Sequence, residues 1–376
     1  MKEPLSLAAC IVMTCQLAAA AEEASTRTPP RLIVPSPPAP APPPKWLTDA
    51  KGCKFLNPAA SANLQIATID WEGACVDGFV HGPGVLTAGY ITYRGDFSRG
   101  QLVKGTAQGG GYTFEGTFAD NESTGETIVR MPDGTTVKGR FDHGRIDPPQ
   151  AEISWPNGAH YRGGVEQSLL RMHGAGVLEY SNGAVYEGAF QDGRVEGAGV
   201  MKLANGEVRR GMFVDGELHG KGSIEYANRS RYEGELRAGE LSGHGTLAYA
   251  DGSRYEGQFA SNQRHGAGKL TEVSGETYEG EWQGDALTGK CHIVLREGQV
   301  VYDGQCVNRR FDGEGTLNIG KATVRGEFKR NALLRGTINT EDGRTFDIDA
   351  EKQQILEVEK DGTKHPIDQL PPDVTI

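Results

Sequence analysis

The sequence predicts an all-β protein: an elongated, twisted, single antiparallel sheet in meander order. It is built from about twelve hairpin repeats of about 23 residues each. Three observations predict this fold. A tyrosine-led segment at Tyr232 returns at Tyr255 and Tyr278, an interval of 23 residues each time (255 − 232 = 278 − 255 = 23). Within a copy, tyrosine, glycine and phenylalanine occupy every second position, which is the period of a strand. Asp-Gly and Asn-Gly pairs, which favour two-residue hairpin turns, separate the strands.

Each copy of the repeat reads as two strands with glycines at fixed places. In the copy that starts at Tyr186, one side of the first strand carries Tyr186, Gly188 and Phe190. Glycines in turns such as Asp251-Gly252 supply left-handed backbone. Glycines inside strands, such as Gly243 and Gly245, leave a gap on the face that carries the rings. We expect aromatic rings to cover these gaps, so that rings and strand glycines alternate along one face.

The segment from Tyr186 to Gly193, followed by Gly197-Ala198-Gly199, resembles the consensus of the MORN repeat family. The resemblance implies one β-hairpin per repeat and an elongated antiparallel sheet. It also implies a role in scaffolding or binding rather than catalysis. Phospholipid binding, which the resemblance suggests for some cytosolic members, is a further alternative.

The chain divides into four predicted regions. Residues 1–20, with Lys2 before an apolar run and a series of alanines, are typical of a secretory signal. Cys10 within Leu7–Cys10 offers a lipoprotein alternative. Residues 21–50 read as a proline-rich, disordered linker, residues 51–345 as the repeat array, and residues 346–376 as a C-terminal strand and loose tail. This arrangement predicts export, with the periplasm of a Gram-negative bacterium as destination.

The charge balance limits the class of partner. The chain has 39 Lys and Arg against 50 Asp and Glu, a formal net charge of −11. A nucleic-acid binder needs a basic stripe, so nucleic acid is an unfavourable partner. An anionic membrane surface is also disfavoured.

The aromatic face predicts a candidate binding surface. A sheet with an exposed aromatic face must curl or be covered, and we expect it to curl into a trough. The predicted trough aromatics are Tyr186, Phe190, Tyr232, Tyr255, Phe259, Tyr278, Trp282 and Tyr302. The opposite face is charged, with an acidic ladder that includes Glu279, Glu281 and Asp303.

Four cysteines remain after the predicted signal, and four allow three pairings. Cys291 stands in a glycine position of its repeat and Cys306 in the phenylalanine position of the next. Cys75 holds that phenylalanine position in the first repeat, and Cys53 a glycine position before it. The repeat frame therefore predicts the bridges Cys53–Cys75 and Cys291–Cys306. A zinc site would need four clustered ligands, which these distant pairs do not offer.

No catalytic motif is apparent, and we expect neither an enzyme nor a cofactor. Four histidines precede the glycine pair of their repeats: His81, His173, His219 and His265. Successive repeats lie about 10 Å apart, too far for two of these side chains to share one metal ion. The leading hypothesis is an exported scaffold that binds another envelope protein or itself. The alternatives are a glycan or peptidoglycan binder and a phospholipid-associated protein.

Overall fold

The computed structural model describes residues 45–57, 68–167 and 170–371. The predicted signal and residues 21–44 of the predicted linker lie outside the described residues. Residues 45–50 of that linker are described, and three of them form a strand (Trp46–Thr48). The predicted loose tail also contains a strand (Lys364–Ile367).

The chain forms two units, Met1–Val195 and Glu196–Ile376. The strands of unit 1 are β1 (Trp46–Thr48), β2 (Lys54–Leu56), β3 (Ile69–Val76), β4 (Phe79–Ala88), β5 (Ile91–Ser98), β6 (Gln101–Gly109), β7 (Tyr112–Ala119), β8 (Glu122–Arg130), β9 (Thr136–Asp142), β10 (Arg145–Ser154), β11 (His160–Val165), β12 (Met172–Glu179) and β13 (Val185–Gln191). The strands that follow are β14 (Arg194–Lys202), β15 (Val208–Val214), β16 (Glu217–Glu225), β17 (Arg231–Arg237), β18 (Glu240–Ala248), β19 (Arg254–Ala260), β20 (Gln263–Thr271), β21 (Thr277–Gln283), β22 (Ala286–Leu295), β23 (Val300–Val307), β24 (Arg310–Ile319), β25 (Ala322–Lys329), β26 (Ala332–Asn339), β27 (Thr345–Asp349), β28 (Gln354–Val358) and β29 (Lys364–Ile367), with one 3-10 turn at Arg296–Gly298.

Consecutive strands pair in antiparallel fashion within each unit. In unit 1 the ladder runs from β3 to β13. In unit 2 it runs from β14 to β29. The predicted fold class, all-β with antiparallel strands in meander order, is therefore confirmed in each unit.

The two ends of the hairpins carry different turns, and the sequence analysis assigned one of them wrongly. At Asp215-Gly216 both residues have positive φ, 49° and 83°, which is the expected two-residue turn. At Asp251-Gly252 only the glycine does, with φ 97°. There the backbone N–H of Tyr249 donates to the Ser253 carbonyl at 2.8 Å, and the Asp251 carboxylate accepts from the Ser253 N–H, also at 2.8 Å. The loop is wider than a two-residue turn.

Each Gly-x-Gly pair contains a β-bulge and a covered glycine. In β20, Gly268 pairs with Gly257, but the next pair is Gln258 with His265, so the register shifts. Gly266 lies in the skipped segment with φ 58°, a conformation that favours glycine. The bulge interrupts the ladder beside Gln258, whose carbonyl accepts a hydrogen bond from the Tyr255 hydroxyl at 3.1 Å.

Tyrosine rings lie over the second glycine of several pairs, as predicted. A Cβ placed on Gly268 would overlap the Tyr255 ring, and one placed on Gly257 would overlap the Tyr255 hydroxyl. Tyr232 covers Gly245 in the same way, and its hydroxyl donates to the Glu235 carbonyl at 2.7 Å. The prediction is wrong for the first glycine. Gly243 has φ 62°, and a Cβ there would meet the Glu235 side chain instead of a ring.

The rings that cover the glycines pack with neighbouring rings into an aromatic core by edge-to-face contacts. In unit 2, Phe259 lies 5.2 Å from Tyr232 and 5.1 Å from Tyr255, and Tyr255 lies 5.4 Å from Trp282, all between ring centroids. Such contacts remove the rings from water. They supply the apolar interior that a sheet needs on one face.

Residues 45–57 lie across the ends of the first hairpins of unit 1. Phe55 is fully buried, with its ring 5.2 Å from that of Tyr93. The Leu56 N–H donates to the Gly100 carbonyl at 2.8 Å. The segment therefore covers the core face and does not extend the meander, although the sequence analysis gave Cys53 a glycine position before the first repeat. Cys53 is bonded to Cys75, with Cα atoms 5.8 Å apart, as predicted.

Candidate binding surfaces

The predicted trough aromatics are core residues. Seven of the eight expose 4 % or less of their surface: Tyr186, Phe190, Tyr232, Tyr255, Phe259, Trp282 and Tyr302. Burial raises the pKa of the Tyr232, Tyr255 and Tyr302 hydroxyls to about 12. The expectation of an open aromatic floor is corrected here, because rings packed on each other present no free face to a ligand.

Tyr278 is the exception, and a cysteine explains it. The position that Gly268 holds against Gly257 is held by Cys291 against Gly280. Cys291 forms the second predicted bridge, to Cys306, with Cα atoms 6.1 Å apart. The buried cysteine side chain stands where the ring would otherwise lie. Tyr278 is partly exposed, and its hydroxyl donates to the Glu276 carboxylate at 3.1 Å.

The face opposite the aromatic core carries the surface clefts. In unit 2 three clefts of ≈ 690, ≈ 500 and ≈ 540 Å³ share residues with one another and form what we call the unit-2 groove. Strand glycines form its floor, because they carry no side chain to fill it. Its charged and polar lining comprises Arg210, Lys221, Arg231, Glu233, Glu235, His244, Arg254, Glu256, Lys269, Glu279, Glu281, Lys290, His292, Asp303 and Glu314.

Side chains of opposite sign are paired along the unit-2 groove. Arg254 lies 3.3 Å from Glu256, and Lys269 lies 3.4 Å from Glu279. His292 Nδ1 lies 2.6 Å from an Asp303 oxygen. Each side chain is about half exposed, so a single pair contributes little stability. The pairs instead produce a fixed pattern of alternating charge, in which the predicted acidic ladder is interrupted by basic side chains.

Unit 1 has its own cleft on the corresponding face. Its volume is ≈ 780 Å³, and glycines such as Gly163 and Gly176 form its floor. Arg162 and Glu152, 3.1 Å apart, stand on its wall. The same arrangement of paired charges over strand glycines therefore occurs in both units.

Three of the four repeat histidines, His81, His219 and His265, occupy ladder positions in separate hairpins. Within residues 45–57, 68–167 and 170–371, no group of three or more His, Cys, Asp or Glu side chains is arranged to hold a metal ion. His265 instead occupies a ladder position opposite Gln258, next to the bulge. His173 Nδ1 lies 3.9 Å from an Asp192 oxygen.

A row of tyrosines before the wide turns was missed by the sequence analysis. Tyr226 and Tyr249 each precede such a turn and are partly exposed. Their spacing, 249 − 226 = 23 residues, is the repeat period, and this signal could have found them. Burial raises the pKa of both hydroxyls.

The comparison with protein-family models agrees with this repeat architecture. Six segments match the family model of the MORN repeat: residues 171–185, 186–208, 210–231, 232–254, 255–277 and 278–300. The chain contains MORN repeats. These segments include the cleanest copies of the 23-residue pattern.

Relatives of known identity match only part of the chain. Alsin of Rattus norvegicus and Alsin of Homo sapiens are each 33% identical over 85 residues, which is 21% of this chain and 5% of Alsin. The chain thus spans about a twentieth of the length of these relatives.

Among solved structures, the SAS-4 (dCPAP) TCP domain of Drosophila melanogaster, in complex with a proline-rich motif of Ana2, is 14% identical with a TM-score of 0.29, over 42% of this chain and 85% of that chain. The TCP10 domain of Danio rerio CPAP with a STIL peptide is 9% identical with a TM-score of 0.22, over 65% and 94%.

The disulfide bonds bear on the compartment. Both predicted disulfide bonds are present, which is consistent with an exported protein. In the described part of the chain, no helix has the length and apolar character that a membrane crossing requires.

Proposed function

We propose that the chain is a non-catalytic exported scaffold, located in the periplasm, that binds another envelope protein along the unit-2 groove. The observation that carries this proposal is the groove itself: three joined clefts lined by paired charges and floored by glycine. MORN repeats support it, since they are generally modules that bind proteins or membranes. A second copy of the chain is the alternative occupant.

The charge pattern favours a protein over an anionic polymer or a phospholipid surface. The groove alternates basic and acidic side chains, such as Arg254 with Glu256 and Lys269 with Glu279. A polyanion needs unpaired positive charge to displace its counterions. A folded or extended protein can instead present a complementary series of both signs, which gives specificity more than raw affinity.

Inverting ion pairs tests the proposal without emptying the groove. The site variant combines Arg254→Glu with Glu256→Arg and Lys269→Glu with Glu279→Lys, which keeps the net charge and the pairing. A matched control, Lys321→Glu with Glu341→Lys, inverts an exposed pair outside the groove. Chemical cross-linking in the cell envelope, followed by mass spectrometry, identifies partners. Analytical ultracentrifugation reports self-association.

The expected result is one defined partner, or a dimer, that the wild type and the control retain and the site variant loses. Because rim charges act mainly on association, the complex should also weaken with salt. A monodisperse monomer with no specific cross-linked partner would contradict the proposal. So would a site variant that keeps the partner.

A further inference from the structure

A second surface of unit 2 lies on the core side of the sheet, beside the wide turns. It carries three partly exposed tyrosines, Tyr226, Tyr249 and Tyr278, which we call the tyrosine row. Tyr226 and Tyr249 follow the buried or half-buried residues Ile224 and Leu247 by two positions, so strand alternation puts them on the core face. The unit-2 groove uses the opposite face, so the two surfaces are separate.

The charges of a guanidinium–carboxylate pair act on the hydroxyl of Tyr226 and of Tyr249. Arg209 Nε lies 2.7 Å from a Glu207 oxygen, and both charges act on the Tyr226 hydroxyl. The charges of Arg264 and Asp285, 2.9 Å apart, act on the Tyr249 hydroxyl.

The third tyrosine repeats the arrangement with closer contact. The Arg309 guanidinium carbon lies 5.2 Å from the centroid of the Tyr278 ring, within cation–π range. A nitrogen of Arg309 lies 2.7 Å from a Glu272 oxygen. A tyrosine under the influence of an ion pair therefore occurs three times in one unit, with direct ring contact at Tyr278, although the tyrosine, arginine and acid come from different repeat positions.

The pairing restricts the charge of a ligand for this surface. Every guanidinium in the row is already neutralised by a carboxylate, so phosphate and other anions would compete with bound partners. Cations would also compete with bound partners, because each carboxylate already pairs with a guanidinium. What remains is a flat amphipathic ring with donors and acceptors beside it. This set suits a neutral molecule that has apolar C–H faces and many hydroxyl groups.

The spacing of the tyrosine rings restricts the shape of the ligand. Tyr226 and Tyr249 directly follow β16 and β18, which lie two strands apart, a distance of about 10 Å at about 4.8 Å per strand. Each disaccharide of an extended β-1,4-linked glycan repeats over a similar distance. Such a polymer can place the same face of every second sugar on successive rings and direct its hydroxyls to the ion pairs.

We propose that the tyrosine row binds a neutral, extended β-1,4-linked oligosaccharide, with a sugar face on each of Tyr226, Tyr249 and Tyr278. The carboxylates of the ion pairs accept hydrogen bonds from its hydroxyls, and the guanidiniums donate hydrogen bonds to them. Binding here does not depend on the protein partner of the unit-2 groove, so either proposal can fail alone.

Titration of the full chain without its predicted signal tests the proposal. The probes are the β-1,4-linked hexamers of N-acetylglucosamine and of glucose. Binding is measured by calorimetry and by the change in tyrosine and tryptophan fluorescence. The pair separates an N-acetylated wall-type glycan from a plain glucan. Tyr226→Ala and Tyr249→Ala should each weaken binding about tenfold, the loss of a single favourable ring contact. Tyr249→Phe should keep most of the affinity.

Two controls separate binding from folding. Tyr90→Ala removes a tyrosine of unit 1 that is 51% exposed, and it should leave the affinity unchanged. Thermal unfolding of each variant reports any structural loss, and the ring-preserving Tyr249→Phe remains informative if Tyr249→Ala does not fold. The proposal is overturned if neither hexamer binds at millimolar concentration. It is also overturned if Tyr226→Ala and Tyr249→Ala bind as the wild type, or if Tyr90→Ala weakens binding equally.

Discussion

Two adjacent repeats of unit 2 have the same tyrosine at the same position and place it differently. Tyr255 is fully buried over Gly268, and its hydroxyl donates to the Gln258 carbonyl. Tyr278, 23 residues later, is partly exposed and bonds to Glu276. The difference lies across the ladder, where the first ring faces a glycine and the second faces Cys291.

The comparison shows what the second glycine of each pair does. It leaves room on the core face for a ring that comes from its neighbour in the ladder. When a cysteine occupies this position, the side chain excludes the ring and a covalent bridge to Cys306 takes over the cross-strand link. The excluded ring then becomes part of the surface, where it joins the tyrosine row.

The largest effect is expected from removing the two rings. Tyr255→Ala empties a site between Phe259 and Trp282 and should lower the free energy of unfolding by about 4 kcal/mol. Tyr278→Ala removes a partly exposed ring and should cost about 1 kcal/mol. Urea unfolding of the full chain measures both. Equal losses would remove the distinction between the two repeats.

Restoring the common pattern sharpens the comparison. Cys291→Ser with Cys306→Ser breaks a bridge across a 15-residue separation and should cost about 3 kcal/mol by the loop-entropy model. Cys291→Gly with Cys306→Phe also breaks it, but provides the gap and the phenylalanine that the other repeats have. Tyr278 should then move over the new glycine and recover about 2 kcal/mol through burial. If both double variants are equally unstable, the cysteine does not exclude the ring.

A smaller loss is expected from filling one gap. Gly268→Ala would force a Cβ into the Tyr255 ring and should destabilise by about 2 to 3 kcal/mol. The matched control is Gly275→Ala, in a turn with φ 85° and nothing within 4 Å of the added carbon. It should cost only about 1 kcal/mol, the strain of left-handed backbone. Differential scanning calorimetry compares the two, and a control as unstable as Gly268→Ala would refute the role of the ring.

The smallest expected change in stability comes from titration of the buried tyrosine hydroxyls above pH 10. Burial raises the Tyr255 pKa from the ordinary value of 10 to about 12. The neutral form is favoured in the folded state, so this contribution to stability is fully present below pH 10 and is lost as pH rises towards 12. Tyr255→Phe should flatten the fall of the unfolding free energy in this window. An unchanged slope would show that the hydroxyl is not desolvated.

Much of the fold follows from the period alone. Tyrosines at 232, 255 and 278 predicted the strands, and the repeat frame predicted the pairs Cys53–Cys75 and Cys291–Cys306. The frame worked for Cys291–Cys306 because β22 and β23 pair directly, with Cys291 opposite Gly304 and Cys306 opposite Gly289, so the two cysteines are near neighbours. For Cys53 the predicted partner was right, although its segment does not extend the meander. The covered glycine was predictable for the same reason.

What the period could not predict is which face is open. Tyr226 and Tyr232 both recur every 23 residues, yet one is partly exposed and the other buried. The bulge at Gly243 interrupts the ladder beside Glu235, whose carbonyl accepts the Tyr232 hydroxyl. Tyr226 instead lies just beyond the end of β16. Turn types were equally ambiguous. Asp215-Gly216 and Asp251-Gly252 are the same dipeptide, and only the pairing of Tyr249 with Ser253 distinguishes them.

Tyrosine nitration, mapped by mass spectrometry under native conditions, tests the central claim most directly: tyrosine rings that lie over a glycine are core, and the tyrosine rings of unit 2 that have no such glycine are surface. Tyr226, Tyr249 and Tyr278 should react rapidly, whereas Tyr186, Tyr232, Tyr255 and Tyr302 should be protected until the chain unfolds. Rapid nitration of Tyr232 or Tyr255 in the folded protein, at the rate of Tyr278, would contradict the account.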